Sequence, residues 1–138
     1  MAVFSTSYFD RYALDFEELA SIPDDVLDSM IEAEAEIIKE GQAQSAATML
    51  QGPYYKGGIV RSLKIGKVKR SRDGREVFVT FEGTQHGNRV AEIAFVNEFG
   101  KQGQPARPFI REANEKNSDK AVDAAAKIYD QYLKSKGF

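Results

Sequence analysis

The side chains that could do chemistry are few and scattered. His86 is the only histidine, and the chain has no cysteine. His86 lies in Gly83-Thr84-Gln85-His86-Gly87-Asn88, a run of turn-forming residues. General acid–base work or metal ligation needs partners at a defined distance, and a lone loop histidine brings none. A serine nucleophile on a Gly-x-Ser-x-Gly elbow is missing. The glycines at 52, 57, 58 and 66 do not compose a Gly-x-x-x-x-Gly-Lys-Ser/Thr phosphate loop. Glu32, Glu34, Glu36 and Glu40 crowd one segment, and Glu32 and Glu36 share a helix face at four-residue spacing. No second acidic–histidine element supplies the other half of a di-metal site, so these acids read as a solvated helix face. No catalytic residue, no metal site and no cofactor is expected, and the chain is read as a non-enzyme.

The charge distribution says more. Net charge is −2, yet residues 1–50 carry eleven acids and two bases. Residues 51–75 carry eight bases (Lys56, Arg61, Lys64, Lys67, Lys69, Arg70, Arg72, Arg75) and one acid. Two readings fit. One is an acidic helix beside a basic hairpin, both solvated. The other is a polar subunit whose acidic and basic sides meet in neighbouring copies, or whose hairpin faces nucleic acid. Strand alternation lets Lys67, Lys69 and Arg75 project together. Such a row binds phosphate without reading sequence. No aromatic platform interleaves with it, as single-strand binders require.

The elements that must position these residues follow from periodicity. A chain of 138 residues suits one domain, 1–138, and needs no staples to bury a core. Its 42% apolar and 29% charged content is ordinary for a globular protein. No apolar run reaches the roughly 18 residues of a membrane span, and Met1 to Asp10 lacks the basic start of a signal peptide. Asp15 to Ala20 can form a short helix. Pro23 then suits a first helical position. Val26, Leu27, Met30, Ile31, Ile37 and Ile38 place one apolar face on a long helix, which Gly41 can kink and Gly52-Pro53 stops. Ile59 to Arg61 makes one turn. Leu63, Ile65 and, less regularly, Val68 alternate with lysines. Asp73-Gly74 signals a two-residue hairpin turn. Val77, Val79 and Phe81 mark a second strand, and Glu82 to Arg89 a loop. Val90 to Phe99, rich in Ile, Phe and Val, reads as the third strand. Ser118 or Asp119 can cap a last helix whose stripe is Val122, Ala125, Ile128, Tyr129, Tyr132 and Leu133, ended by Gly137. The fold class is α+β: a long N-terminal helix and a C-terminal helix on a small antiparallel sheet of three or four strands.

One stretch carries a recognisable order: Ala94-Phe95-Val96-Asn97-Glu98-Phe99-Gly100, then Gln104-Pro105-Ala106-Arg107-Pro108-Phe109-Ile110-Arg111-Glu112-Ala113. It resembles the signature of small minor tail and neck proteins of long-tailed bacteriophages. There a strand ends in Glu-Phe-Gly, and a Pro/Arg-rich loop leads to a helix opened by Pro-Phe. Gly52-Pro53 with Gly58-Ile59-Val60-Arg61-Ser62-Leu63 is similar to the family's middle element. One departure is Lys101, where the family often has Thr. The resemblance implies a tail-completion or tail-terminator subunit of a phage or prophage. Such subunits assemble as a ring, commonly a hexamer, at the head–tail junction, and can be monomeric while free. Implied partners are further copies, other neck, connector and tail-tube proteins, and genomic DNA passing non-specifically through the centre, with no membrane. The implied location is the virion tail or neck, after assembly in the bacterial cytoplasm. Implied subunit-contact residues are Glu98, Gly100, Lys101, Pro105, Arg107 and Pro108. Lys64, Lys67, Lys69, Arg70, Arg72 and Arg75 would form the basic surface toward DNA. On these expectations Glu98 closes a strand and caps an edge or pairs with Arg107. Phe99 goes to the core, and the two prolines stiffen the loop. The alternative is a small non-specific nucleic-acid-binding module using residues 56–75.

Overall fold

The computed structural model describes residues 2–5, 22–50, 57–72 and 74–137. Helix α1, Asp24–Met49, starts behind Pro23, whose carbonyl accepts from the N–H of Val26 and of Leu27, both at 3.1 Å. Pro23 stands one position ahead of the first helical residue. Asp24 and Asp25 lie in the first turn, at the positive end of the helix dipole. The helix runs through Gly41 unbroken. Glycine there serves close packing: a Cβ on Gly41 would overlap the side-chain amide of Asn117. The short helix expected over 15–20 and the stop at Gly52-Pro53 lie outside the described residues.

Helix α2, Gly58–Ser62, is one turn, and it leads into β2, Leu63–Ile65. Strand β3, Lys69–Ser71, continues along the same edge of β4, Gly74–Phe81. Ile65 pairs with Val79 and Lys69 with Glu76, so three residues, 66–68, oppose two, 77 and 78. That extra residue is a β-bulge. It explains why Leu63 and Ile65 turn inward with Val68 rather than with residue 67. Ser71 pairs with Gly74, so Gly74 is the first residue of β4 and not part of the turn, which departs by one position from the Asp73-Gly74 expectation. Asp73 itself is outside the described residues. Strand β1, Ala2–Ser5, pairs with the other edge of β4, from Ala2↔Val79 to Ser5↔Glu76. Residues 82–89, expected as a loop, form a hairpin of β5, Thr84–Gln85, and β6, Asn88–Arg89. His86 (φ 52°) and Gly87 (φ 80°) supply the two positive-φ positions that such a tight turn requires.

The main correction concerns Val90–Phe99. It is a helix, α3, and the third partner of the sheet is β1. Its buried residues, Val90, Ala94 and Glu98, recur every four positions. Polar Glu92, Asn97 and Glu98 fall on three different faces with apolar residues between them, so the helical period shows no contrast between sides. Helix α4, Phe109–Ser135, is continuous past Ser118, so no cap forms there. The Ser118 hydroxyl instead donates back to the Glu115 carbonyl at 3.3 Å, which lets serine sit inside a helix. Gly137 (φ 90°) follows the end of the helix.

Helices α1 and α4 pack on one another along their length, and α1 also packs on β4. The core joins Ile31 and Ile38 of α1, and Leu50 just past its end, to Val77, Val79 and Phe81 of β4 and to Phe109 of α4. Phe81 and Phe109 meet edge to face, with ring centroids 6.0 Å apart. Met30 and Ala125 make a second cluster with Val26, Leu27, Ile128 and Tyr129. Two polar side chains are buried on α1. Gln42 Nε2 donates to Asn114 Oδ1 at 3.0 Å. Glu34, 1% exposed, has no hydrogen-bond partner on either carboxylate oxygen. Burial pushes its pKa up to about 8, because the charged form loses its water.

The native state therefore holds a proton that the unfolded chain releases above its ordinary value of 4.5. This contribution is complete below that pH and lost as pH rises towards about 8, at roughly 1.4 kcal/mol per pH unit. Glu34→Met, of similar length and no charge, is expected to stabilise the fold by a few kcal/mol at neutral pH. Urea unfolding of both proteins across pH 4 to 9 checks this. A difference between them that does not grow with pH would overturn the assignment.

Candidate subunit-contact surface

The site is built where α3 turns into α4. Gly100 ends α3 with φ 78° and ψ 176°, and its N–H donates to the Val96 carbonyl at 2.7 Å. A Cβ there would lie 2.8 Å from the Ala106 nitrogen, so the returning loop passes where only glycine leaves room. Lys101 and Gln104 exchange two backbone hydrogen bonds, each 2.9 Å. The Arg107 N–H donates to the Asn97 carbonyl at 2.6 Å, closing the loop against α3. The backbone of 100–108 is thus pinned while Lys101, Pro105 and Arg107 stay exposed and Gly100 and Pro108 are half-buried.

Glu98 does something other than expected. Its two carboxylate oxygens accept the N–H of Ile110 at 2.8 Å and of Arg111 at 3.0 Å. These are donors of the first turn of α4, which have no partner within their own helix. Pro108, at the N-cap, makes no side-chain cap hydrogen bond, and the acid of another helix takes that place. Glu98 is 8% exposed and does not close a strand. Among the described residues no ion pair joins it to Arg107.

Phe99 is corrected as well: it is 67% exposed, and Phe95 is 62% exposed. One helical turn apart, their rings lie 4.7 Å centre to centre, tilted by 47°. Beside them a groove of about 830 Å³ runs between α3, the end of β4 and the first turns of α4. Phe81, Ala94, Phe95, Phe99 and Ile110 give it an apolar wall. The strand reading of 90–99 concealed this pair. Read at helical spacing, residues 95 and 99 share a face away from 90 and 94.

The basic residues separate into two groups. Arg75 forks onto Asp28 of α1 at 2.6 and 2.9 Å, with side chains 16% and 30% exposed. That hydrogen bond first, then the nearby acids, raises its pKa above the usual arginine value. Arg70 reaches Asp24 at 3.4 Å in an exposed pair. These two therefore tie the hairpin to the start of α1, and Arg75 does not project with Lys67 and Lys69. Lys64, Lys67, Lys69 and Arg72 remain exposed along the β2–β3 edge. Lysines and a bulge on an edge strand also block sheet-to-sheet pairing. His86 is exposed at its turn. Among the described residues no group of three or more His, Asp or Glu could hold a metal ion, and no helix is long and apolar enough to cross a membrane. Comparison with protein-family models, curated proteins and solved structures finds no match for the chain.

Glu98→Ala leaves the buried Ile110 N–H without an acceptor and is expected to cost about 1–3 kcal/mol in urea unfolding. Glu98→Gln keeps one acceptor oxygen and should lose less. Equal stability of all three proteins would remove the cap from any structural role.

Proposed function

We propose that this chain is a non-enzymatic structural subunit of a phage or prophage tail or neck, forming a ring at the head–tail junction. The observation that carries this reading is the exposed Phe95–Phe99 pair beside a pinned loop, on the segment that resembles the family signature. Within one copy α3 leaves a single side exposed, that of Glu92, Phe95 and Phe99, and two of those three are aromatic rings that a neighbour would cover. A stiff loop adds contacts at little cost in ordering, so Lys101, Pro105 and Arg107 are well placed to touch a neighbour. In such a ring the exposed cations of the β2–β3 edge would serve DNA that passes without being read.

Electron microscopy of the concentrated protein is expected to show closed rings of uniform size. Phe99→Asp should give monomers whose unfolding free energy stays within about 0.5 kcal/mol of the parent, since the residue is exposed. Rings that persist in this variant would remove the α3 face from the interface.

The second reading, a small nucleic-acid-binding module, is favoured by the exposed Lys64, Lys67, Lys69 and Arg72. The ring reading expects weak duplex binding. Its logarithm should fall with the logarithm of salt at a slope of about −0.9 per phosphate neutralised, so at most about −4 for four cations. Tight, sequence-selective binding by a monomer at physiological salt would replace the ring reading with this one.

A further inference from the structure

The groove between α3 and α4 lacks an occupant within the described fold. We propose that it receives residues 6–21 of a neighbouring copy of this chain, an acidic segment whose Tyr12, Phe16 and Leu19 share one face at helical spacing. The inference rests on the ring reading and names the contact that would build the ring.

Three observations carry it. The first is chemistry. Residues 6–21 contain Tyr8, Phe9, Tyr12, Leu14, Phe16 and Leu19, an apolar load that suits the wall of Phe81, Phe95, Phe99 and Ile110. An amphipathic helix laid in an apolar groove anchors through such i, i+4, i+7 side chains.

The second is charge. The segment carries Asp10, Asp15, Glu17 and Glu18 against Arg11. The groove is rimmed by Arg89 and Arg111, with Lys101 and Arg107 exposed on the adjoining loop. Glu115 opposes them on the rim, whereas the charge of Glu98 is engaged by two N–H groups of α4.

The third is where the flanking residues lie. Ser5 pairs with Glu76, and the start of α1 is tied to the hairpin by Asp24–Arg70 and Asp28–Arg75. The described neighbours of residues 6–21 therefore lie at the hairpin end of β4. The groove lies at the other end, against Thr80 and Phe81. Five strand residues separate the two, roughly 17 Å at 3.3–3.4 Å per residue, a distance that the intervening segment has the length to span. A groove at one end of the sheet and a segment anchored at the other make the contact between copies head to tail, the kind that closes a ring.

The chain has no cysteine, so introduced thiols report contacts directly. Phe16→Cys protein mixed with Phe95→Cys protein under mild oxidation is expected to give the mixed dimer in at least about tenfold excess over the Phe95→Cys homodimer. Homodimer in equal or greater amount means that the patch pairs with itself, and overturns the proposal. So does a Phe16→Cys/Phe95→Cys chain that closes on itself at high dilution. As an independent arm, a labelled peptide of residues 6–21 is titrated onto the full-length protein. Binding should weaken at least about tenfold in Phe95→Asp, at an unchanged unfolding midpoint, and should weaken as salt rises. No binding to the parent protein overturns the proposal. Rings formed by the Phe95→Asp protein overturn this contact while leaving the ring reading intact.

Discussion

The Glu98 carboxylate is the joint on which this molecule's most specific segment depends. Helix α4 opens with N–H groups that have no partner in their own helix, and one buried acid of another helix serves two of them. From the inner side of α3 it accepts the Ile110 and Arg111 N–H groups. A cap borrowed from another helix fixes more than a local cap can. It sets the angle and distance between α3 and α4, and hence the width of the groove they share. Gly100 makes the same joint possible from the backbone side, because the loop returns within 3 Å of where a side chain would begin. Phe95 and Phe99 stand on the outer side of α3, so the acid that faces inward also holds the exposed pair in place.

The seam between α1 and α4 poses a different problem. Many of its buried positions are small: Ala35 and Ala46 on one helix, Ala121 and Ala125 on the other. Small side chains allow close approach but specify register weakly, since a shifted pairing finds nearly the same surface. Polar and shape contacts resolve this at one level of the seam. Asn117 covers Gly41, and Asn114 accepts from Gln42, three residues apart on one helix and adjacent on the other. A slip would leave the buried Gln42 amide without its Asn114 partner, at a cost of about 1–3 kcal/mol, and would set a side chain where only Gly41 leaves room for Asn117. Glu34 has no such partner and is kept neutral by burial instead.

Long periodic elements were legible in the sequence because burial on one side leaves a pattern. The face of α1, the inward Val77, Val79 and Phe81, and the stripe of the last helix all follow from spacing alone. The Asp73-Gly74 signal located the hairpin to within one residue. Among the features that did not follow, three have distinct reasons. Helix α3 spreads Glu92, Asn97 and Glu98 over three faces, so the usual contrast between faces is missing and strand propensity misleads. The bulge at 66–68 changes the inward parity in mid-strand, which showed only as the irregular place of Val68. The role of Glu98 depends on a helix beginning eleven residues later, a relation that local pattern does not encode.

The same reasons bear on what the surface is for. A sequence can mark a buried acid or an exposed aromatic only through its neighbours, and here the neighbours of α3 lie on other elements. Once α3 is recognised as a helix, Ala94-Phe95-Val96-Asn97-Glu98-Phe99-Gly100 divides cleanly by face. Ala94 and Glu98 belong to the fold, Phe95 and Phe99 to the outside, and Gly100 to the turn between them. The residues that hold the chain together and those free to meet a partner therefore alternate within a single helical turn. The rigid fold and the proposed contact face draw on the same ten residues. They can still be altered separately, because the side chain that anchors the helix and the one that faces outward, although immediate neighbours in the chain, leave the helix on different sides.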